Sequence, residues 1–350
     1  MDPAIITALV VTTVFIAMLY NFVNGMNDCA NSIATTVSTR ALSPRLAIML
    51  AAALNIAGAF VSTEVAKTIG KGVVNPDIII KDATIADPVT LGVVIILAAV
   101  LGAAIWGFGC TYFGIPISIT HALVGGLFGA GIVGYGFSCI NMNGIYLIMA
   151  AMIVSPIAGF IGAYMMMVFI YWISIKMHPT KATSVYKKLQ VVSAGWMAFS
   201  HGFNDTQNAM GVITAVLISA KWITLSSPDE FPVPVWVIIS SAGVMGLGTY
   251  IGGWGVIKTM GMGIVNLKPI HGFTAETAAG SVIAGCSWIG APISTTHVIS
   301  TSIMGVGAVR KLSGVKWGTA SNIVLTWVLT LPGSAAISAG SFFILKLFFL

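Results

Sequence analysis

Apolar stretches of about 20 residues recur from one end of this chain to the other, each long enough to cross about 30 Å of hydrocarbon as a helix. No other feature limits the fold so severely. A backbone in lipid must satisfy its own polar groups, which leaves helices and closed barrels. The stretches lack the two-residue alternation of barrel strands, so the chain reads as an all-α polytopic membrane protein with about 10–12 membrane segments. Composition agrees: 57% of the 350 residues are hydrophobic and 7% are charged, against about 25% charged in soluble domains. A soluble core could not hide that much apolar surface.

The net charge of +6 sits in short loops between apolar runs, where topology accounts for it. No nucleic-acid partner is expected. Cys29, Cys110, Cys139 and Cys286 lie scattered without CxxC spacing and read as packing residues. Asp2 precedes the first apolar run where a cleavable signal would carry Lys or Arg, so that run is expected to remain as a span.

The chain repeats itself. Residues 24–31 read NGMNDCAN and residues 201–208 read HGFNDTQN. Asn27 matches Asn204, Asp28 matches Asp205 and Asn31 matches Asn208, each 177 positions on. Residues 116–121 (PISITH) match 292–297 (PISTTH) with an offset of 176, and KTIGKGVVN from Lys67 matches KTMGMGIVN from Lys258 with an offset of 191. Three blocks in one order mark two related halves. We divide the chain into a first repeat (1–175), a basic linker (176–190) and a second repeat (191–350).

Loop charge orients the halves. Residues 176–188 carry four lysines and no acid, which places them in the cytoplasm, with the N-terminus expected outside a cell (inner) membrane. Matched loops carry opposite bias. Arg40 and Arg45 give +2, while Lys221, Asp229 and Glu230 give −1. Arg310, Lys311 and Lys316 give +3, while their partner around 138–143 is uncharged. Residues 67–87 balance three lysines against three aspartates; their partner holds Lys258 and Lys268 with no acid before Glu276. Opposite bias in matched loops predicts two inverted repeats, an architecture that puts a transporter's site between the repeats. Spans are expected near 5–22, 46–61, 89–108, 144–175, 191–200, 235–251, 274–289 and 323–349. The half-length runs 30–37, 121–133, 209–219 and 297–309 are expected as broken helices or re-entrant hairpins.

An aspartate inside a span costs roughly 2.5–3.5 kcal/mol and usually marks an ion or proton path. Asp28 and Asp205 recur beside Gly25 and Gly202, and glycine lets a helix unwind. Unwound carbonyls, the carboxylates and the amides of Asn27 and Asn204 would suit Na⁺. The simpler reading, a buried Asp capping a helix, loses weight because the pair is duplicated. In each hairpin block a proline opens an apolar half-helix after Gly114 or Gly290. Helix N-termini hold oxyanions, and Ser118, Thr120, Ser294, Thr295 and Thr296 add donors without charge. The competing reading has these hydroxyls bonding back to their own turn. A Ser–His–Asp hydrolase is rejected, since no GxSxG elbow exists and the arrangement is duplicated. His121 and His297 read as hairpin anchors or proton carriers, and zinc ligation by dispersed histidines has little support. Glu276, within FTAETAAG, is a candidate buried acid. Glu64 reads as interfacial, beside Lys67 or Lys71. The glycines of 243–255 read as close helix packing.

These blocks resemble the duplicated signature of the inorganic phosphate transporter (PiT) family of sodium- or proton-coupled phosphate symporters, similar to G-x-N-D-x-x-N and P-[IV]-S-x-T-H. The four copies stand at 25–31, 202–208, 116–121 and 292–297 and cover most of the chain. The resemblance implies an inverted-repeat fold, a homodimer, and phosphate with its coupling Na⁺ or H⁺ held between the motifs, with no other cofactor. It implies phosphate contacts from Asn27, Asp28, Ser118, Thr120, Asn204, Asp205, Ser294, Thr295 and Thr296. Asp28, Asn31, Asp205, Asn208, Glu64 and Glu276 would serve the coupling cation. Ile119 stands where the family pattern places a first Thr, so that hairpin offers one donor fewer. The function expected is cation-coupled phosphate import by alternating access. The alternative is a sulfate permease of the same fold, since sulfate needs only donors. A membrane enzyme or a passive channel fits twinned acid sites poorly.

Overall fold

The computed structural model describes residues 2–74, 78–79, 82–225, 227, 230–309 and 311–350. Asp77, Lys81, Asp229 and Arg310, which enter the loop-charge counts, lie outside the described residues, as does Asn75 at the end of the first KTIG block. Among the described residues there are twelve α-helices and no strand. They are α1 (Pro3–Ser38), α2 (Pro44–Gly58), α3 (Glu64–Gly72), α4 (Pro88–Tyr112), α5 (Ile119–Gly134), α6 (Met142–Ser174), α7 (Pro179–Ser219), α8 (Val235–Ile251), α9 (Trp254–Gly263), α10 (Pro269–Trp288), α11 (Thr295–Ala308) and α12 (Trp317–Phe349).

Local chemistry sets many of the boundaries. Proline opens α1, α2, α4, α7 and α10, where its missing N–H is not needed. Asp2, Ser43, Asp87 and Asn141 accept a first-turn N–H as caps. α1, α4, α6 and α12 are each long and apolar enough to span, and α8 with α9 forms a pair bent by 67°. Gly252, at φ 71°, breaks that pair, a conformation that glycine tolerates. The remaining helices are shorter or carry polar residues, which lowers their apolarity without moving them from the bundle.

The element order of α1–α6 returns in α7–α12, and so do the packing partners. α1 lies on α8 as α7 lies on α2; α5 lies on α12 as α11 lies on α6. Such reciprocal exchange is the pattern of a two-fold relation. Pro156 inside α6 and Pro332 inside α12 are matched 176 positions apart. Two apolar cores result. One joins the first half of α1 to α3, α4, α5 and the end of α7. The other joins Cys29–Ala34 of α1 to α2, α6, α9, α10, α11 and α12. The polar motifs of α1 and α7 lie where the two cores meet.

One expectation needs correction. α1 and α7 run as unbroken helices of 36 and 41 residues through both Asn-Asp motifs. Residues 30–37 and 209–219 are continuations of them, not separate half-helices. The breaks lie instead before α5, before α11 and between α8 and α9. Gly25 and Gly202 serve close approach, not unwinding. A Cβ on Gly25 would lie 2.4 Å from Met245 O, and one on Gly202 would lie 2.1 Å from Asn55 O. The basic segment is likewise helical from Pro179 onward, forming the first turns of α7.

Gly202→Ala is therefore expected to destabilise the protein by about 1–3 kcal/mol or more through overpacking. A lower melting midpoint in detergent would report it. Gly243→Ala, with nothing within 4 Å of the added carbon, should leave the midpoint unchanged.

Candidate functional site

Asp28 on α1 and Asp205 on α7 come together in the structure. Both are 1% exposed, and His201 stands between them. Its Nε2 lies 3.1 Å from Asp205 Oδ2 and 3.8 Å from Asp28 Oδ2. One ligand atom from each of the three residues falls within 4.8 Å of the others. His201 precedes Asp205 by one helical turn, so the two side chains share a face.

The half-helices meet this centre with their N-terminal hydroxyls. Thr295 Oγ1 donates to Asp205 Oδ2 at 2.9 Å, and Thr296 Oγ1 donates to Asp28 Oδ1 at 3.0 Å. Asn31 Nδ2 donates to both threonine hydroxyls at 3.1 Å. In the matched half, Asn208 Nδ2 donates to Thr120 Oγ1 at 2.8 Å. Ile119, matched to Thr295, offers no hydroxyl, so the two carboxylates are held differently. Gly114 and Gly290, at φ 69° and 71°, turn the chain into these half-helices.

The serines bond within their own helix starts. Ser118 Oγ and Ser294 Oγ accept from His121 N and His297 N, each at 3.2 Å, and so cap their own helices. A capping hydroxyl keeps its proton for another acceptor. The first N–H groups of α5 and α11 still have no intrahelical carbonyl. His121 and His297 meet across the two half-helices, ring centroids 4.4 Å apart, and His297 stacks on Trp327 at 3.8 Å.

The asparagines are oriented by their amide nitrogens. Asn27 Nδ2 donates to Thr111 Oγ1 at 2.9 Å. Asn204 Nδ2 donates to Asp205 Oδ1 at 2.6 Å and to Ile293 O at 3.1 Å, while Ser287 Oγ donates to Asn204 Oδ1 at 3.0 Å. The buried Oδ1 atoms of Asn24, Asn27, Asn31 and Asn208 accept no hydrogen bond from the protein. Amide and carboxylate oxygens are the ligand types that a small hard cation takes.

Glu276 forms a second polar cluster on α10 and is fully buried. Thr35 Oγ1 donates to its Oε1, as do Thr36 Oγ1 at 2.7 Å and Gln190 Nε2 at 3.2 Å. Ser193 Oγ donates to Oε2 at 2.5 Å. Thr35 follows Asp28 by two turns of α1, roughly 10 Å along the axis, so this cluster sits beside the centre and not in it. Glu64 joins neither cluster. It is exposed at the first turn of α3, packed near Gly290. Its exposure removes it from the buried acids.

Sequence reasoning missed His201, Gln190, Ser193, Thr35 and Thr36. A signal for His201 was present: it lies four residues before Asp205 and replaces Asn24 of the matched motif. The Glu276 partners come from two other helices, α1 and α7, and left no local signal.

A helical bundle with buried acids between paired half-helices, four of its helices able to span by themselves, is a multi-pass membrane protein. A family described as "Phosphate transporter family" matches residues 24–338. The chain belongs to this family. It is 43% identical over 347 residues to a probable low-affinity inorganic phosphate transporter of Bacillus subtilis (strain 168), covering 99% of both chains. A protein of the same description from Rhizobium meliloti (strain 1021) is 40% identical over 344 residues, covering 98% of both. Among solved structures, "The sodium-dependent phosphate transporter" superposes with a TM-score of 0.86 at 27% identity, covering 97% of this chain and 100% of that one.

Proposed function

We propose that this protein is a cation-coupled symporter that imports inorganic phosphate across the cell membrane by alternating access. The observation that carries the reading is the convergence of Asp28 and Asp205 on His201, opposite the hydroxyls of Thr295 and Thr296. Phosphate bears up to two negative charges, and each charge costs about 2.3 kcal/mol per 100 mV to move against an inside-negative potential. Two carboxylates in the path would repel it further, so cations must accompany it. Phosphate contacts fall to Ser118, Thr120, Ser294, Thr295 and Thr296 with Asn27, Asp28, Asn204 and Asp205. The cation falls to Asp28, Asn31, Asp205 and Asn208, with Glu276 as an outlying acid and Glu64 left out. The unpartnered amide oxygens and the likeness to a solved sodium-dependent phosphate transporter favour Na⁺ over H⁺. The reciprocal packing of the halves supports inverted repeats. A homodimer, an outside N-terminus and a cytoplasmic basic segment complete the reading.

The test is radiolabelled phosphate uptake into proteoliposomes with Na⁺ and H⁺ gradients imposed separately. Accumulation driven by an inward Na⁺ gradient is expected, and excess sulfate should leave it unchanged. Uptake indifferent to both gradients would describe a channel and sink the proposal. Strong inhibition by sulfate would reassign the anion.

A further inference from the structure

His201 is held by a hydrogen-bond relay that crosses three helices. Thr249 Oγ1 donates its one proton to Met245 O, 3.0 Å away within α8. It can then only accept from Asn55 Nδ2 on α2, at 2.8 Å. That contact orients the amide: Asn55 presents Oδ1, an acceptor, to His201 Nδ1 at 2.9 Å. Nδ1 must therefore carry the hydrogen, and Nε2 is the nitrogen turned toward Asp205 and Asp28. Asn55, Thr249 and His201 are all fully buried. The backbones are seated as closely as glycine allows, since Gly202 packs on Asn55 itself.

The relay, built from Asn55 of the first half and Thr249 and His201 of the second, is not repeated at the matched positions. Gly25 packs on Met245 as Gly202 packs on Asn55, so Met245 is matched to Asn55, and Asn24 is matched to His201. Neither can rebuild the relay. Asn24 Nδ2 instead points to the Asp205 carbonyl at 3.5 Å.

We propose that Asn55, oriented by Thr249, is a positioning residue for the cation centre. It holds His201 in its ring plane with Nδ1 protonated, which keeps Nε2 between Asp28 and Asp205. The proposal rests on the reading of that centre as the coupling-cation site. Outer partners of a cation site typically tune affinity by about 10- to 100-fold. Losing the relay should thus act on the cation, with phosphate affinity at saturating cation little changed.

The experiment uses the full chain in lipid nanodiscs and proteoliposomes. Nitrogen NMR of ¹⁵N-histidine protein, assigned by comparison with His201→Gln, reads which ring nitrogens carry hydrogen. Wild type is expected to show His201 protonated at Nδ1. Asn55→Leu should lose that single state. Asn55→Leu and Thr249→Val should raise the half-saturating cation concentration about tenfold, leaving the phosphate KM at saturating cation within about twofold. Thr249→Ser, which keeps the relay, should restore the wild-type value. A bare Nδ1 in wild type overturns the proposal. So does a lower uptake capacity and melting midpoint in both breaking variants with cation half-saturation unmoved. If Asn55→Leu fails to fold, the Thr249 pair decides alone. Wild-type uptake without cation dependence would defeat the transport reading, and the Nδ1 protonation result would still stand or fall by itself.

Discussion

Asp205→Asn is expected to reduce cation-driven phosphate uptake by at least about 100-fold, the scale of an interaction worth roughly 3 kcal/mol. The variant keeps the shape of the side chain and removes its charge. Asp205 Oδ2 receives Thr295 Oγ1 and faces His201 Nε2, while Oδ1 receives Asn204 Nδ2. An amide in its place offers one acceptor and two donor hydrogens, so at least one of these contacts must turn repulsive. The charge that, on the proposed reading, balances the coupling cation is lost as well. Asp28→Asn should act in the same direction. It has fewer close partners, with Thr296 at 3.0 Å and His201 at 3.8 Å, so its structural cost should be smaller for a similar loss of coupling. Uptake in proteoliposomes under an imposed cation gradient measures both. Wild-type rates in either variant would mean the carboxylates only brace the helices.

Glu276→Leu is expected to be the more damaging change for stability. Thr35, Thr36, Gln190 and Ser193 all direct donors at this carboxylate from α1 and α7. A leucine leaves these donors facing an apolar group in the bundle interior. Each buried polar group left without a partner costs about 1–3 kcal/mol, and breaking a buried charged network typically costs about 3–5 kcal/mol in total. Thr39, which donates to Gln190 Oε1 at 2.7 Å, would help hold Gln190 in its present orientation. The measurement is the melting midpoint in detergent, with recovery of monodisperse protein as a second readout. Glu276→Gln separates charge from packing. It retains one acceptor oxygen and should recover part of the midpoint while remaining defective in uptake. Full stability in Glu276→Leu would show that the donors find other partners.

These acids were legible in different degrees. Asp28 and Asp205 announced themselves because a charge inside an apolar run is expensive and these two recur 177 positions apart. Glu276 was visible only as an acid in a hydrophobic stretch, and Glu64 looked equally plausible. The fold separated them: α10 carries Glu276 into the bundle, whereas α3 begins at the surface with Glu64. Burial depends on which helix covers a residue, and that information lies far away in the chain.

The hydroxyl-rich blocks show the same limit. Glycine, proline and serine in fixed order specify a turn and a capped helix start, and Gly114, Gly290, Ser118 and Ser294 adopt those roles. The hydroxyls of Thr295 and Thr296 point to carboxylates on other helices, which no local pattern encodes.

The sequence by itself determined that the chain is helical and membrane-bound, that it is duplicated, and that two acids lie inside it. Those properties follow from composition, hydrophobic run length and repetition, all of which act locally or by simple matching. The tertiary structure decided the use of each residue. Glycines that could have unwound α1 and α7 instead admit α8 and α2 to contact, because a missing Cβ permits either outcome and only the neighbour selects between them. A histidine on one of those same helices gains its place between two carboxylates from an asparagine about 150 residues away. Hydrogen bonds are directional and short-ranged, so their partners are settled only when the helices have packed.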